Sequence, residues 1–109
     1  DQLIRQRLPI GISYSSNLRK AIELAVQAAE EQERVLKNPA PVCHLKGFGD
    51  NSVDIELRIW LRDPRSGLSN VRHDILLRIW DLFQANEVEF PFPQRELHVA
   101  KAIPVKVES

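Results

Sequence analysis

Hydrophobic and polar residues repeat along this chain with two different periods, and the switches between them lay out its elements. Leu8, Ile10, Ile12 and Tyr14 alternate with Arg7, Pro9, Gly11 and Ser13, the period-two pattern of a strand with one buried face. Pro9 has no amide hydrogen to give to a ladder, so this strand is expected at or near a sheet edge. Ser15, Ser16 and Asn17 offer capping side chains ahead of Leu18, Ala21, Ile22, Ala25, Val26 and Ala29, whose spacing predicts an amphipathic helix. If that helix continues, Glu30 with Arg34 and Glu33 with Lys37 form i,i+4 pairs worth roughly 0.2–0.5 kcal/mol each. Asn38-Pro39-Ala40-Pro41 must end the segment, because Pro39 biases Asn38 away from helix.

A short strand is predicted over 42–48, followed by a reversal at Gly47-Phe48-Gly49-Asp50-Asn51-Ser52. The clearest stretch comes next: Val53, Ile55, Leu57, Ile59 and Leu61 alternate without a break against Asp54, Glu56, Arg58, Trp60 and Arg62. This is a long antiparallel strand with one face in the core. Asp63-Pro64-Arg65-Ser66-Gly67 breaks it, and Ser69 or Asn70 is placed to cap a second helix. The stripe of that helix is Val71, Ile75, Ile79 and Phe83, widened by Leu68, Leu76 and Leu82, with Asn86 as a left-handed C-cap. Val88 to Phe90 resumes an extended path, Pro91-Phe92-Pro93 stiffens it, and Leu97 and Val99 mark a last short strand. The tetrapeptide Leu-Arg-Ile-Trp occurs at 57–60 and again at 77–80, once in period two and once in period 3.6, so it is not a structural repeat.

Strand, helix, strand, strand, helix, strand is the order of an α+β, ferredoxin-like βαββαβ fold, with two helices on one face of an antiparallel sheet. The 109 residues, 43% hydrophobic and 28% charged, suit one globular domain that needs neither metal nor disulfide to stand up. Fifteen cationic residues balance fifteen acidic ones, which removes the broad basic field of a nucleic-acid-binding protein. A lone cysteine, Cys43, excludes an intrachain disulfide. No apolar run exceeds three residues, far short of the roughly twenty of a spanning helix. Asp1 in place of an initiator Met is read as the start of a piece cut from a longer chain.

Catalytic and ligand-binding patterns are weak. His44, His73 and His98 have no spacing suited to metal ligation, and no cofactor is expected. Ser13, Ser15 and Ser16 lack the frame of a nucleophile elbow and read as capping residues. Lys46-Gly47-Phe48-Gly49 matches the start of an RNA-recognition consensus, but Asp50 and Asn51 end the match. Two features remain. Trp60 shares the open face of the sheet with Asp54, Glu56, Arg58 and Arg62, and an aromatic beside Arg there is a suitable protein contact. Phe90-Pro91-Phe92-Pro93 followed by Gln94 and Arg95 is a stiff apolar rod, which either wedges into its own core or meets another subunit.

With these residues in view, the sequence resembles the cytoplasmic C-terminal α/β domain of small-conductance, MscS-type mechanosensitive ion channels. Four pieces carry the resemblance in order: Pro9-Ile10-Gly11-Ile12-Ser13-Tyr14; Arg34-Val35-Leu36-Lys37-Asn38-Pro39-Ala40-Pro41; Gly47-Phe48-Gly49-Asp50-Asn51-Ser52-Val53; and Phe90-Pro91-Phe92-Pro93-Gln94-Arg95-Glu96-Leu97-His98. Asn86 stands where relatives often have Gly. The resemblance implies a homo-oligomeric, usually heptameric channel, whose soluble domains form a hollow cage on the cytoplasmic side of the inner membrane. Such a channel releases ions and small osmolytes on hypo-osmotic shock, and it is not an enzyme. On this reading residues 1–6 end an upstream β domain or linker, 7–100 form the ferredoxin-like domain, and 101–109 are a C-terminal tail. The interface candidates are Arg58, Trp60 and Arg62 on the sheet and Phe90, Phe92, Gln94 and Arg95 on the extended segment. The alternative function is a small-molecule-binding regulatory module of the same fold.

Overall fold

The unbroken alternation over residues 53–61 becomes the middle strand of a three-stranded antiparallel sheet. A computed structural model of the chain describes residues 3–62 and 68–92. In chain order these carry β1 (Ile4–Ile12), α1 (Leu18–Glu30), β2 (Val42–Phe48), β3 (Val53–Leu61) and α2 (Leu68–Ala85). The sheet order is β1-β3-β2, so β3 pairs antiparallel with both neighbours. This is the α+β arrangement expected for the first five elements of the ferredoxin-like order. The sixth, over Leu97 and Val99, lies outside the described residues.

Register explains why the core sits where it does. Leu8, Ile10 and Ile12 of β1 stand opposite Leu57, Ile55 and Val53 of β3, while Cys43 of β2 stands opposite Leu57 from the other side. All of these side chains are buried, together with Ile59 and Leu61. The helices close over that face with Ala21, Leu24, Ala25, Ala28 and Ala29 of α1 and Val71, Ile75, Ile79, Leu82 and Phe83 of α2. The run of alanines on α1 lets its backbone approach the layer beneath, since helix packing distance follows side-chain size. Pro9 sits within β1, which has β3 on one side only among the described residues, as its missing N–H requires.

Several boundaries differ from the sequence expectation. β1 begins at Ile4, three residues before Arg7, because Gln6 occupies an inward register position opposite Ile59 and so hides the alternation. Asn17 caps α1 as expected, its Oδ1 accepting from Lys20 N at 3.0 Å. The helix stops at Glu30, however, and the turn beyond it drives Val35 into the core. Arg34 and Lys37 therefore lie beyond the helix, and the i,i+4 helical geometry expected for Glu30–Arg34 and Glu33–Lys37 does not apply. Next in the chain, Leu36 N donates to Trp60 O at 2.9 Å and so continues the β3 edge past the end of β2. α2 begins at Leu68, which places Ser69 and Asn70 in its first turn rather than at its cap. Leu76 faces outward instead of widening the buried stripe.

The end of α2 carries one further correction. The left-handed residue is Glu87, at φ 61°, not Asn86. Val88 N donates to Phe83 O at 3.0 Å, and both residues are buried; this is the 6→1 bond and apolar clasp of a Schellman stop. Burying Phe83 and Val88 together fixes which residue must turn left-handed, and that residue is Glu87. Asn86 instead uses its Nδ2 to donate to Leu82 O at 2.8 Å.

A β-carbon in left-handed geometry costs roughly 1–2 kcal/mol, and glycine's greater unfolded freedom offsets part of this. Glu87→Gly is accordingly expected to stabilise the chain by about 0.5–1 kcal/mol, read as a higher urea midpoint at unchanged slope.

Candidate functional site

The face of the sheet turned away from the helices is built from the alternate residues of each strand. Register sets Arg5 opposite Trp60, Arg7 opposite Arg58 and Pro9 opposite Glu56; on the other side Val42 meets Arg58 and His44 meets Glu56. Glu56 is the enclosed acid of this face, with its side chain 12% exposed, and Arg58 Nε donates to its Oε1 at 2.8 Å. That hydrogen bond holds the Glu56 carboxyl below its ordinary range against the opposing effect of burial, helped by the charges of Lys46, Arg58 and Arg7. One enclosed carboxylate thus stands among several cations, with Arg5 beyond them. The surface around half-buried Trp60 is net basic, and Arg62 follows directly after the strand. Asp54, the second acid of this face, lies at the hairpin end of β3 opposite Gly11 and accepts from Ser52 Oγ at 2.6 Å.

The extended segment after α2 splits into an inward and an outward half. Ser13 N donates to Glu89 O at 2.8 Å, Glu89 N donates to Ser16 Oγ at 2.8 Å, and Ser16 Oγ donates to Glu89 O at 3.2 Å. These bonds pin the segment to the end of β1 and give the serine hydroxyl a structural task. Phe90 then stacks on Trp80 with ring centroids 5.3 Å apart and planes 10° from parallel, and it meets Phe83 at 5.5 Å and 31°, both favourable aromatic separations. Phe92, two residues on, is 73% exposed. Between them lies an open groove of about 680 Å³ lined by Trp80, Phe83, Gln84, Phe90 and Phe92 among others.

Of the residues singled out from sequence, Arg58 and Trp60 share the sheet face, with Arg62 next in the alternation. Phe90 and Phe92 lie instead against the end of α2, so the two groups form separate surfaces. Gln94 and Arg95 fall outside the described residues. Missed in the sequence reading was the outward side of α2, where Leu77 is 53% and Trp80 51% exposed. A signal for it existed: Leu76, Leu77 and Trp80 are apolar yet off the 71/75/79/83 stripe. The tie between the helices was also missed. Arg78 Nε donates to Glu31 Oε1 at 2.6 Å and its Nη2 to Glu31 Oε2 at 3.2 Å, a two-pronged clasp from the body of α2 to the C-cap of α1.

Conventional reactive groups are not assembled. Cys43 is buried, and burial, reinforced by the Glu56 charge, pushes its thiol up to about 11. His44 and His73 are exposed on different layers. Among the described residues no three His, Cys, Asp or Glu side chains gather as metal ligands, and no helix is long and apolar enough to cross a membrane.

The structure is a two-layer α+β fold with a basic sheet face and an aromatic end to its second helix. Residues 7–90 match the family described as the C-terminal part of the mechanosensitive ion channel MscS, and the chain belongs to that family. It is 39% identical over 99 residues to an MscS family protein of Archaeoglobus fulgidus, covering 91% of this chain and 34% of the relative. It is 33% identical over 99 residues to the mechanosensitive channel MscK of Escherichia coli, covering 91% of this chain and 9% of that protein. The crystal structure of Helicobacter pylori MscS in its closed state shares the fold, with a TM-score of 0.77 at 24% identity over 86% of this chain and 37% of that one. The chain therefore spans about a third of the Archaeoglobus relative and a smaller part of MscK.

The clasp between the helices has a pH signature. Hydrogen bonds from Arg78 and then Gln27 hold the Glu31 carboxyl below its ordinary value. A depressed carboxylate contributes stability that is present above the unfolded-state value, near 4.5, and is lost as pH falls through the lower folded value. Arg78→Gln is expected to lower the melting temperature at pH 7 and to converge with the unsubstituted chain as pH falls below the unfolded-state value of 4.5 and on through the lower folded one. Melts across that range check both the sign and the convergence.

Proposed function

We propose that this chain is the cytoplasmic cage, or vestibule, domain of a mechanosensitive channel in the inner membrane, which releases ions and small osmolytes on hypo-osmotic shock. The observation that carries the reading is the family match over residues 7–90, joined to the chain spanning only about a third of its Archaeoglobus relative. On this reading the pore and the tension-sensing helices belong to the rest of the protein. The chain's own contribution is non-enzymatic: it packs with copies of itself, a heptamer being the expected ring, and presents charge to the passing solute.

The two surfaces described above suit that task differently. Arg58, Trp60 and Arg62 offer an aromatic in a basic setting, and such residues are favoured in protein contacts. Phe90 belongs to the domain's own packing and positions the outward Phe92. Gln94 and Arg95 follow Phe92 in sequence and are proposed as neighbours in the same contact.

The test is made in bacteria whose own mechanosensitive channels have been deleted. The full-length protein is expected to restore survival of osmotic downshock, and tension-gated currents should appear in membrane patches. Phe92→Asp is expected to weaken oligomerisation and protection while leaving the melting of this domain nearly unchanged, because the side chain is mostly in water. Absence of both protection and tension-gated current from the unsubstituted protein would overturn the channel reading. Equal loss of assembly and of domain stability in Phe92→Asp would remove that residue from the interface.

A further inference from the structure

The chain is formally neutral, but its charge is distributed unevenly between the two layers. On the sheet's outer face, Arg5, Arg7 and Arg58 lie around Trp60, with Lys46 near Glu56, and these cations outnumber the enclosed Glu56 and the hairpin-end Asp54. On the opposite side of the molecule, α2 turns Leu76, Leu77 and Trp80 outward. The exposed charges that follow along this helix and its exit are Asp74, Asp81, Glu87 and Glu89, while Arg72 and His73 sit nearer its start. The cation within that stretch, Arg78, is already held by Glu31 at 2.6 Å. One layer therefore ends in an aromatic within a basic rim, and the other in an apolar stripe with acids along it.

We propose that these two faces dock on each other between copies: the outer side of α2 of one copy lies on the outer face of the sheet of the next. This inference rests on the channel-assembly reading and names the surfaces it uses. Three features favour a second copy of this chain as the occupant. The rims are opposite in charge, which steers association and fixes orientation. Leu76, Leu77 and Trp80 lie off the buried stripe, and apolar side chains grouped on a surface mark a contact site. The two faces are on opposite layers, so one copy engages two neighbours at once. A contact between two different patches is heterologous, and it closes into a ring when its rotation permits.

The test uses the full-length protein purified in detergent, with cysteines outside this domain replaced by serine. Cys43 stays, since it is buried. Arg5→Cys and Leu77→Cys are introduced together and singly, and the protein is oxidised. The two sites lie on opposite layers of one copy, too far apart to bridge within it. The double variant is expected to give a ladder of covalent oligomers, and each single variant none. Arg5→Glu with Arg7→Glu is expected to disperse the assembly, and adding Asp74→Arg with Asp81→Arg to restore it. An assembled protein that gives no ladder and no charge rescue overturns this pairing of faces while leaving the channel-assembly reading intact. Dimers from either single variant overturn the head-to-tail arrangement. A protein that is monomeric without any substitution overturns the pairing and the assembly reading together.

Discussion

Everything in this domain leans on the inner face of β3. A strand paired on both sides has its backbone polar groups satisfied laterally, so it can give one whole face to apolar packing without leaving buried donors or acceptors. Val53, Ile55, Leu57, Ile59 and Leu61 do this without interruption and are buried. β1 and β2 take their register from β3, and the helices meet over the surface that these three strands complete. A one-residue slip would move the entire apolar set to the outer face and bring Asp54, Glu56 and Arg58 into the core. The alternation thus specifies both the core and the charged outer surface.

The ends of the helices are where the packing is locked. Asn17 starts α1, and Arg78 reaches from α2 to Glu31 at the other end of α1. Phe83 and Val88 close the stop of α2, and the segment that follows is fastened to Ser13 and Ser16. This chain of local contacts runs from the core outward to Phe90, which stacks on Trp80, and leaves Phe92 facing water. A backbone segment anchored through Phe90 has less ordering entropy left to lose when the exposed residue beyond it meets a partner. The same logic applies to half-buried Trp60 on the sheet.

The fold was legible because its strongest signals are periodic. The bounds of β2 and β3 coincide with those expected from pattern alone, and the stripe Val71, Ile75, Ile79, Phe83 is buried as its spacing requires. What pattern missed depends on tertiary context. Gln6 interrupts the apolar alternation of β1 although the strand continues through it. Statistical preference pointed to Asn86 for the left-handed position, but the joint burial of Phe83 and Val88 assigned it to Glu87. Of the candidate surfaces, sequence located Trp60 and Arg58 correctly on the outer face and could not divide Phe90 from Phe92. The outward Leu77 and Trp80 fall off the 71/75/79/83 spacing, so helical periodicity alone does not mark them. The bidentate Arg78–Glu31 contact joins residues 47 positions apart, a separation no local pattern encodes.

The dependence on β3 is tested most directly by comparing two leucines in urea unfolding of this chain. Leu57 is buried between Leu8 and Cys43 in the register, whereas Leu77 is exposed on α2. Leu57→Ala is expected to cost about 2–5 kcal/mol through lost burial and the cavity left behind, and Leu77→Ala to stay within roughly 0.5 kcal/mol of the unsubstituted chain. Equal and small losses from both substitutions would contradict a fold centred on the inner face of β3.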